Sequence, residues 1–189
     1  MRVGIAGVGG IGSNVAAVLV RSGIRRLTLV DFDRVEASNL NRQFYFADQV
    51  GRLKVEALAE NLRRIVPDLL LTIHAVAVTA ANCASLFHDC AVVAEGFDGR
   101  ADKKMLLETL GRERRVIAAS GIAGASLEGI EVRRFGGCRI VGDFVTDCGH
   151  APLFAHKVMS VANLMAALIL EEVSHGKTSF SHRDPRDHG

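Results

Sequence analysis

Six residues near the start of the chain, Gly7-Val8-Gly9-Gly10-Ile11-Gly12, constrain everything that follows them. They lie between an apolar run, Val3 to Ala6, and a stretch in which Ile11, Val15, Val18 and Leu19 recur at helical spacing until Gly23. A strand that turns at once into a helix needs positive φ angles and no Cβ in the way, and glycine supplies both. The helix begun in this way offers free backbone N–H groups and a positive dipole end, which suit a phosphate. Asp31 follows about twenty residues later, at the end of a second apolar run, where a carboxylate accepts hydrogen bonds from ribose hydroxyls. Glycine spacing alone fits any tight turn, but strand, helix and distal acid together predict a nucleotide crevice. Asp33 falls on the same side of an extended chain, and Asp31 is preferred because it directly ends the apolar run.

The remaining organisation agrees with that crevice. Residues 27–31 read as a second strand, and Val55, Leu58, Leu62 and Ile65 mark a helix that Pro67 ends. Residues 69–78 read as a third strand, 80–88 as a short helix and 91–95 as a fourth strand. A helix over 101–112 and a strand over 116–120 follow. This alternation predicts an α/β fold with a parallel sheet and helices on both faces. The pattern then changes: Ile130 and Val132 alternate with Glu131 and Arg133, which suits a half-solvated antiparallel strand. A last helix, residues 154–173, is apolar nearly all round at its centre and is expected to be buried against the sheet or a partner subunit. Residues 174–189 are polar and are expected to form a mobile tail. The expected division is thus one domain over 1–173 and a tail over 174–189. The spacing of His175, His182 and His188 in that tail fits no helical or strand face, which argues against a metal site.

With 189 residues, 49% hydrophobic and 23% charged, the chain is long enough for one large core, and its net charge of +2 is too mild to argue for nucleic acid or a membrane surface. Nothing before Val3 resembles a signal peptide, and the apolar stretch 158–170 is too short to span a bilayer and is interrupted by Ser160 and Asn163. A cytoplasmic location is expected. The four cysteines, Cys83, Cys90, Cys138 and Cys148, include no CxxC pair, so no zinc is expected, and Cys83 and Cys90 read as small buried residues.

Further groups gather around the predicted crevice. The segment Ser38-Asn39-Leu40-Asn41-Arg42-Gln43 is rich in hydrogen-bonding side chains. Lys54 falls in the first turn of its helix, where a cation opposes the dipole, and an anionic ligand would offset that cost. Arg42 and Lys54 together point to phosphate. Asp98 follows the fourth strand in Glu95-Gly96-Phe97-Asp98-Gly99-Arg100, where a carboxylate either holds Mg²⁺ against a polyphosphate or caps the next helix. Two cations, a magnesium-type acid and a ribose acid match a triphosphate better than a dinucleotide. A nicotinamide oxidoreductase is the competing reading, but no clear Tyr/Lys or His partner for hydride chemistry is present, and the lone Tyr45 lies in the polar loop.

At these residues the sequence resembles the ThiF/MoeB/HesA family of adenylating enzymes related to ubiquitin-activating enzymes. The matching text is GVGGIG, then LVDFDRVEASNLNRQ, then GRLKVEAL, then EGFDGRADK, in the family's order over residues 1 to about 120. The NLNRQ element is far more specific than the glycine loop. The resemblance is strongest to short ThiF-like proteins of thiamine biosynthesis, and it implies a Rossmann-like, mostly parallel sheet with an antiparallel extension near the C-terminus. It further implies adenylation of the C-terminal glycine of a ubiquitin-like sulfur carrier ending in Gly-Gly, with ATP and Mg²⁺ and release of pyrophosphate. By motif, Gly7, Gly9, Gly10 and Gly12 would cradle the nucleotide and Asp31, beside Asp33, would bind ribose. Arg42 and Lys54 would bind phosphate, Asn39 and Gln43 would order the same loop, and Asp98 would serve magnesium. Such proteins usually pair as homodimers through faces near the sheet edge and the last helix.

Three departures from the family pattern shape the expectations. The family often has a leading segment that gives an arginine to a neighbouring subunit's ATP, and here the first strand begins at once, so triphosphate cleavage is expected to be weaker or to use another arginine. The zinc-binding CxxC pairs of many relatives are missing. Cys148 lies near where larger relatives keep a cysteine that bonds to the carrier, as a thioester or an acyl-persulfide, and only His150 or Lys157 offers a nearby cation to activate it. Same-family activation of a small carboxylate or a modified RNA is the second enzymatic reading. A non-catalytic module that binds nucleotide or carrier is a third.

Overall fold

The computed structural model describes residues 1–178, with side chains as far as Ser174. Seven strands form one sheet: β1 (Arg2–Ala6), β2 (Arg26–Val30), β3 (Leu70–His74), β4 (Cys90–Glu95), β5 (Arg115–Ala119), β6 (Glu131–Phe135) and β7 (Cys138–Gly142). Their order is β3-β2-β1-β4-β5-β7-β6, and every pair is parallel except the hairpin β6–β7. The Rossmann-like sheet with an antiparallel extension is therefore the observed architecture. Strand order reverses between β1 and β4, and the carboxyl ends of these two strands frame the crevice in which open α/β sheets take ligands.

Two helical layers enclose the sheet. On one face lie α1 (Gly10–Arg21), α2 (Lys54–Ile65) and α5 (Ala155–Thr178), packed on Ile5, Leu27, Leu29, Val92 and Ile117. On the other lie α3 (Cys83–Leu86) and α4 (Arg100–Leu110), where Phe87, Leu106 and Leu110 cover Val93 and Val116. The central strands are apolar in nearly every position because both of their faces are covered. In α5, Val158, Val161, Ala162, Met165, Ala166 and Ile169 are fully enclosed at helical spacing. Truncating a buried residue such as Met165 or Ile169 to alanine costs about 2–5 kcal/mol. Arg139 of β7 pairs with Glu171 at 2.8 Å and with Glu172, which ties the far end of α5 to the sheet extension.

Several boundaries differ from the sequence expectation. The third strand ends at His74, opposite Val30, and residues 75–78 leave the sheet, with 76–78 lining the crevice. The short helix spans only Cys83–Leu86. Strand β7 has no counterpart among the expected elements. The last helix runs on to Thr178, five residues into the segment read as a tail, so the polar composition of 174–178 does not stop it. His182 and His188 lie outside the described residues. No helix among them is long and apolar enough to cross a membrane.

Candidate active site

The glycine turn is held by backbone packing. Gly7 has φ +81°, and a Cβ at Gly12 would lie 1.9 Å from the Gly7 carbonyl oxygen, so the chain closes only with hydrogen at position 12. Gly96, at the end of β4, presses on the same atoms: its Cβ would lie 2.9 Å from the Gly7 oxygen and 3.0 Å from the Gly12 nitrogen. Two anchors fix the turn from outside. The Val8 N–H donates to Asp31 Oδ2 at 2.8 Å, and the Tyr45 hydroxyl donates to the Val8 carbonyl at 2.7 Å. No side chain caps the N-terminus of α1, which leaves its first-turn N–H groups for a ligand.

A cavity of about 430 Å³ opens at this turn. Gly7, Gly9, Asp31, Asp33, Lys54 and Asp98 all line it. Its apolar flank is Val30, Phe32 and the residues 76–78 that follow β3. Asp31 accepts a backbone N–H on each oxygen, from Val8 and from Asp33, and these bonds oppose burial, which pushes its carboxyl above the ordinary range. Lys54 opens α2 with its side chain enclosed, and its Nζ donates to Asp33 Oδ2 at 2.9 Å. The anion that offsets the lysine's position at a helix N-terminus is thus supplied within the chain. Asp98 is exposed, and Gly99 rather than Asp98 is the N-cap of α4, with no side-chain cap. Asp102, in the first turn of α4, brings a second carboxylate to the same cavity. An acid there reads in sequence as an ordinary complement to the dipole, and nothing in its spacing marks it as a ligand.

Arg42 does not line this cavity. Its guanidinium donates to the Ser38 carbonyl and to Asn41 Oδ1, while its stem lies beside Gly10 at the start of α1. Asn14 holds the Arg42 backbone there by donating to the carbonyls of Gly10 and Arg42. Gly10 and Gly12 belong to the turn but not to the cavity wall, and Asn39 closes its own short helical turn by accepting from the Glu36 N–H at 3.3 Å. Gln43 is 7% exposed, sits beside Gly9, and leaves Oε1 with no partner. A buried acceptor without a donor costs about 1–3 kcal/mol, and here it adjoins the uncapped end of α1.

A second cavity, about 370 Å³, shares the wall Gly96-Phe97-Asp98 with the first. Arg100, Lys103, Ser120, Asp147 and Cys148 reach it. Lys103 Nζ donates to Glu95 Oε2 at 2.6 Å and to the Ala119 carbonyl at 2.7 Å, at the cavity wall. Burial pushes the Glu95 carboxyl up, and Lys103 opposes it. Arg100 forms an ion pair with Asp147. Cys148 is the exposed cysteine, whereas Cys83, Cys90 and Cys138 are buried, and burial pushes the Cys90 thiol up to about 11. Of the two cations expected near Cys148, Lys157 is committed elsewhere, to Asp143 Oδ2 and the Ala123 carbonyl, and His150 leans on Asp147 at 4.0 Å. Among the described residues no group of three or more His, Cys, Asp or Glu side chains converges as a metal site.

Comparison with known proteins places this arrangement. The model of the ThiF family matches residues 1–133. Ubiquitin-like modifier-activating enzyme 5 of Caenorhabditis briggsae is 42% identical over 85 residues, which is 45% of this chain and 20% of that protein. The chain thus spans about a fifth of the length of the curated relatives it matches. Among solved structures, E. coli tRNA N6-threonylcarbamoyladenosine dehydratase, TcdA, in complex with ATP, shares the fold with TM-score 0.86 at 22% identity, over 95% of this chain and 88% of that one. Guanylylpyridinol- and ATP-bound HcgE from Methanothermobacter marburgensis gives TM-score 0.76 at 19% identity, over 93% and 96%.

Proposed function

Because this chain belongs to the ThiF family, we propose that it is an ATP-dependent adenylating enzyme whose acceptor is the C-terminal glycine of a ubiquitin-like sulfur carrier ending in Gly-Gly, of the kind used in thiamine biosynthesis. One observation carries the reading: Asp31, Lys54 and Asp98, far apart in sequence, line a single cavity beside an uncapped helix N-terminus, and that cavity shares a wall with a second. Gly7, Gly9 and the first turn of α1 receive phosphate oxygens, and Asp31 accepts from ribose hydroxyls. The flank of Val30, Phe32 and Val76 supports the purine. Lys54 exchanges Asp33 for a phosphate. Arg42, beside Gly10, reaches the phosphates by releasing Ser38 and Asn41, and the orphaned Gln43 Oε1 takes a donor from the bound molecule.

Asp98 and Asp102 suit Mg²⁺, which prefers one or two carboxylates with phosphate oxygens and water. When bound, the ion supplies charge neutralisation on the polyphosphate. The second cavity admits the acceptor carboxylate. One carboxylate oxygen bonds to the α-phosphorus, the bond to the β-phosphate bridging oxygen breaks, and pyrophosphate leaves with that electron pair. Lys54 and the α1 N–H groups stabilise the charge that builds on the phosphate oxygens, so catalysis rests on positioning and electrostatics. In this reading Cys148 accepts the activated acyl group afterwards: its sulfur bonds to the acyl carbon as the thiol proton passes to solvent, the acyl–phosphate bond breaks, and AMP leaves. A homodimer belongs to the same reading, with the exposed Met159 and Leu164 of α5 as its apolar contact.

The test is ATP–pyrophosphate exchange with Mg²⁺ and a purified carrier ending in Gly-Gly. Carrier-dependent exchange supports the reading. Exchange that depends instead on a small carboxylate or on RNA would keep the chemistry and change the acceptor. Tight ATP binding with no exchange under any acceptor would leave a non-catalytic nucleotide-binding module.

A further inference from the structure

The segment that walls the second cavity, Phe144 to Cys148, leaves the sheet after a last backbone bond, from the Phe144 N–H to the Ser120 carbonyl at 3.3 Å. Strand β7 ends at Gly142, and the chain then folds around one carboxylate. Asp143 Oδ1 accepts from the Val145 N–H and the Thr146 N–H, both at 2.9 Å, and the Thr146 hydroxyl closes on the same group at 2.8 Å. Phe144 is driven to φ 60°, the left-handed region that side chains rarely adopt, and its ring stacks under the Arg133 guanidinium at 4.1 Å.

A lysine from another element completes the arrangement. Lys157, in the first turn of α5, is 1% exposed, and its Nζ donates to Asp143 Oδ2 and to the Ala123 carbonyl, both at 2.6 Å. The adjoining wall of the cavity, Ser120 to Ile122, leads directly into Ala123. Gly121 admits the carboxylate only because it has no side chain, since its Cβ would lie 2.0 Å from Asp143 Oδ1. Backbone bonds from Asp143 to Gly121 and from Phe144 to Ser120 already join the two walls, and the one ammonium ties both of them to the helix beneath.

A buried ion pair is an expensive way to gain stability, because desolvation consumes most of the attraction and a well-packed apolar pair often does as well. What it supplies here is a fixed geometry. We infer that Lys157 and Asp143 are positioning residues that set the width of the second cavity and the placement of Cys148 within it, and so govern the acceptor without touching the nucleotide. This rests on the proposed function for its kinetic consequence, but not for its structural one.

Two readouts separate the possibilities. In the full chain, Cys148 is the exposed thiol among four, so the rate of alkylation by iodoacetamide reports on the segment 143–148. Lys157→Met is expected to raise that rate about tenfold, to raise KM for a Gly-Gly carrier about tenfold in the exchange assay, and to leave KM for ATP within about twofold. A Lys157→Met protein that unfolds cooperatively yet keeps the parental alkylation rate and carrier KM would overturn the inference and leave the pair a packing feature. If Lys157→Met does not fold, Thr146→Val, which removes only the hydroxyl contacts to Asp143, decides the matter by the same readouts at about threefold. If the parent shows no exchange, the proposed function fails and alkylation alone judges the positioning role.

Discussion

Lys54 Nζ lies 2.9 Å from Asp33 Oδ2, and the two partners are unequally enclosed: the lysine side chain is 8% exposed and the aspartate 49%. The exposed member is the one that solvent or a ligand can displace. The pair therefore keeps a cation dehydrated and oriented at the crevice while leaving its counter-ion exchangeable.

Different outcomes are expected from removing each member. Lys54→Ala deletes a charge-assisted contact of about 1.5–3 kcal/mol, so ATP affinity should fall roughly ten- to hundredfold by calorimetry. Asp33→Asn should leave affinity unchanged or raise it a few-fold, because it removes a competitor for the lysine. Equal losses in both variants would mean that the ion pair shapes the crevice and the lysine does not contact phosphate.

Asp98→Asn is expected to leave the thermal midpoint within about 2 °C of the parent, since the residue is exposed. The Mg²⁺ concentration giving half-maximal exchange should rise about tenfold, and further in Asp98→Asn with Asp102→Asn. A magnesium titration of exchange checks this, and an unchanged curve in the double variant would remove both residues from the metal's coordination.

Gly12→Ala tests the turn itself. A Cβ 1.9 Å from the Gly7 oxygen cannot be accommodated by rotating a side chain, so the turn must open. The cost is about 3 kcal/mol, or roughly 6–12 °C in Tm for a chain of this size, with loss of nucleotide binding. Tyr45→Phe is the milder counterpart. It leaves the Val8 carbonyl without its 2.7 Å donor and should cost about 1–3 kcal/mol.

Asp143 gives the protein a defined response to acid. Burial pushes its carboxyl up, but the bonds from Lys157, Thr146 and Val145 outweigh this and hold it well below the ordinary carboxylate range. A depressed folded pKa contributes stability that is present above the unfolded value, about 4, and is lost as pH falls through that value towards the folded one. Denaturant midpoints measured from pH 6 down to 2 should therefore drop less steeply in Asp143→Asn than in the parent, although the variant starts lower.

What could be read in advance follows the range of the interactions involved. The glycine turn is legible because its constraint is local: strand, turn and helix follow one another between Arg2 and Arg21. Asp31 and Lys54 were legible by position, one ending an apolar run and the other opening a helix. The partner of Lys54 was not, because Asp31 and Asp33 look alike in an extended chain and only the fold turns one towards the backbone and the other towards the lysine. Arg42 reads as a crevice residue by its charge alongside Lys54 and by its motif, yet its guanidinium folds back onto Ser38 and Asn41. Strand β7 is not legible in the sequence because five residues carry little periodicity and its identity depends on β5 beside it. The pairs Glu95–Lys103 and Asp143–Lys157 are matters of tertiary proximity, and nothing in their spacing announces them.

The stretch Gly96-Phe97-Asp98 faces both cavities at once. It behaves as a party wall between two rooms, and whatever is done to one side is felt on the other. If the proposed function holds, a substitution at those three residues that retunes the choice of acceptor also disturbs the grip on the nucleotide. On the same reading, variation in the acceptor falls to the far side of the second room, Phe144 to Cys148, which does not border the first.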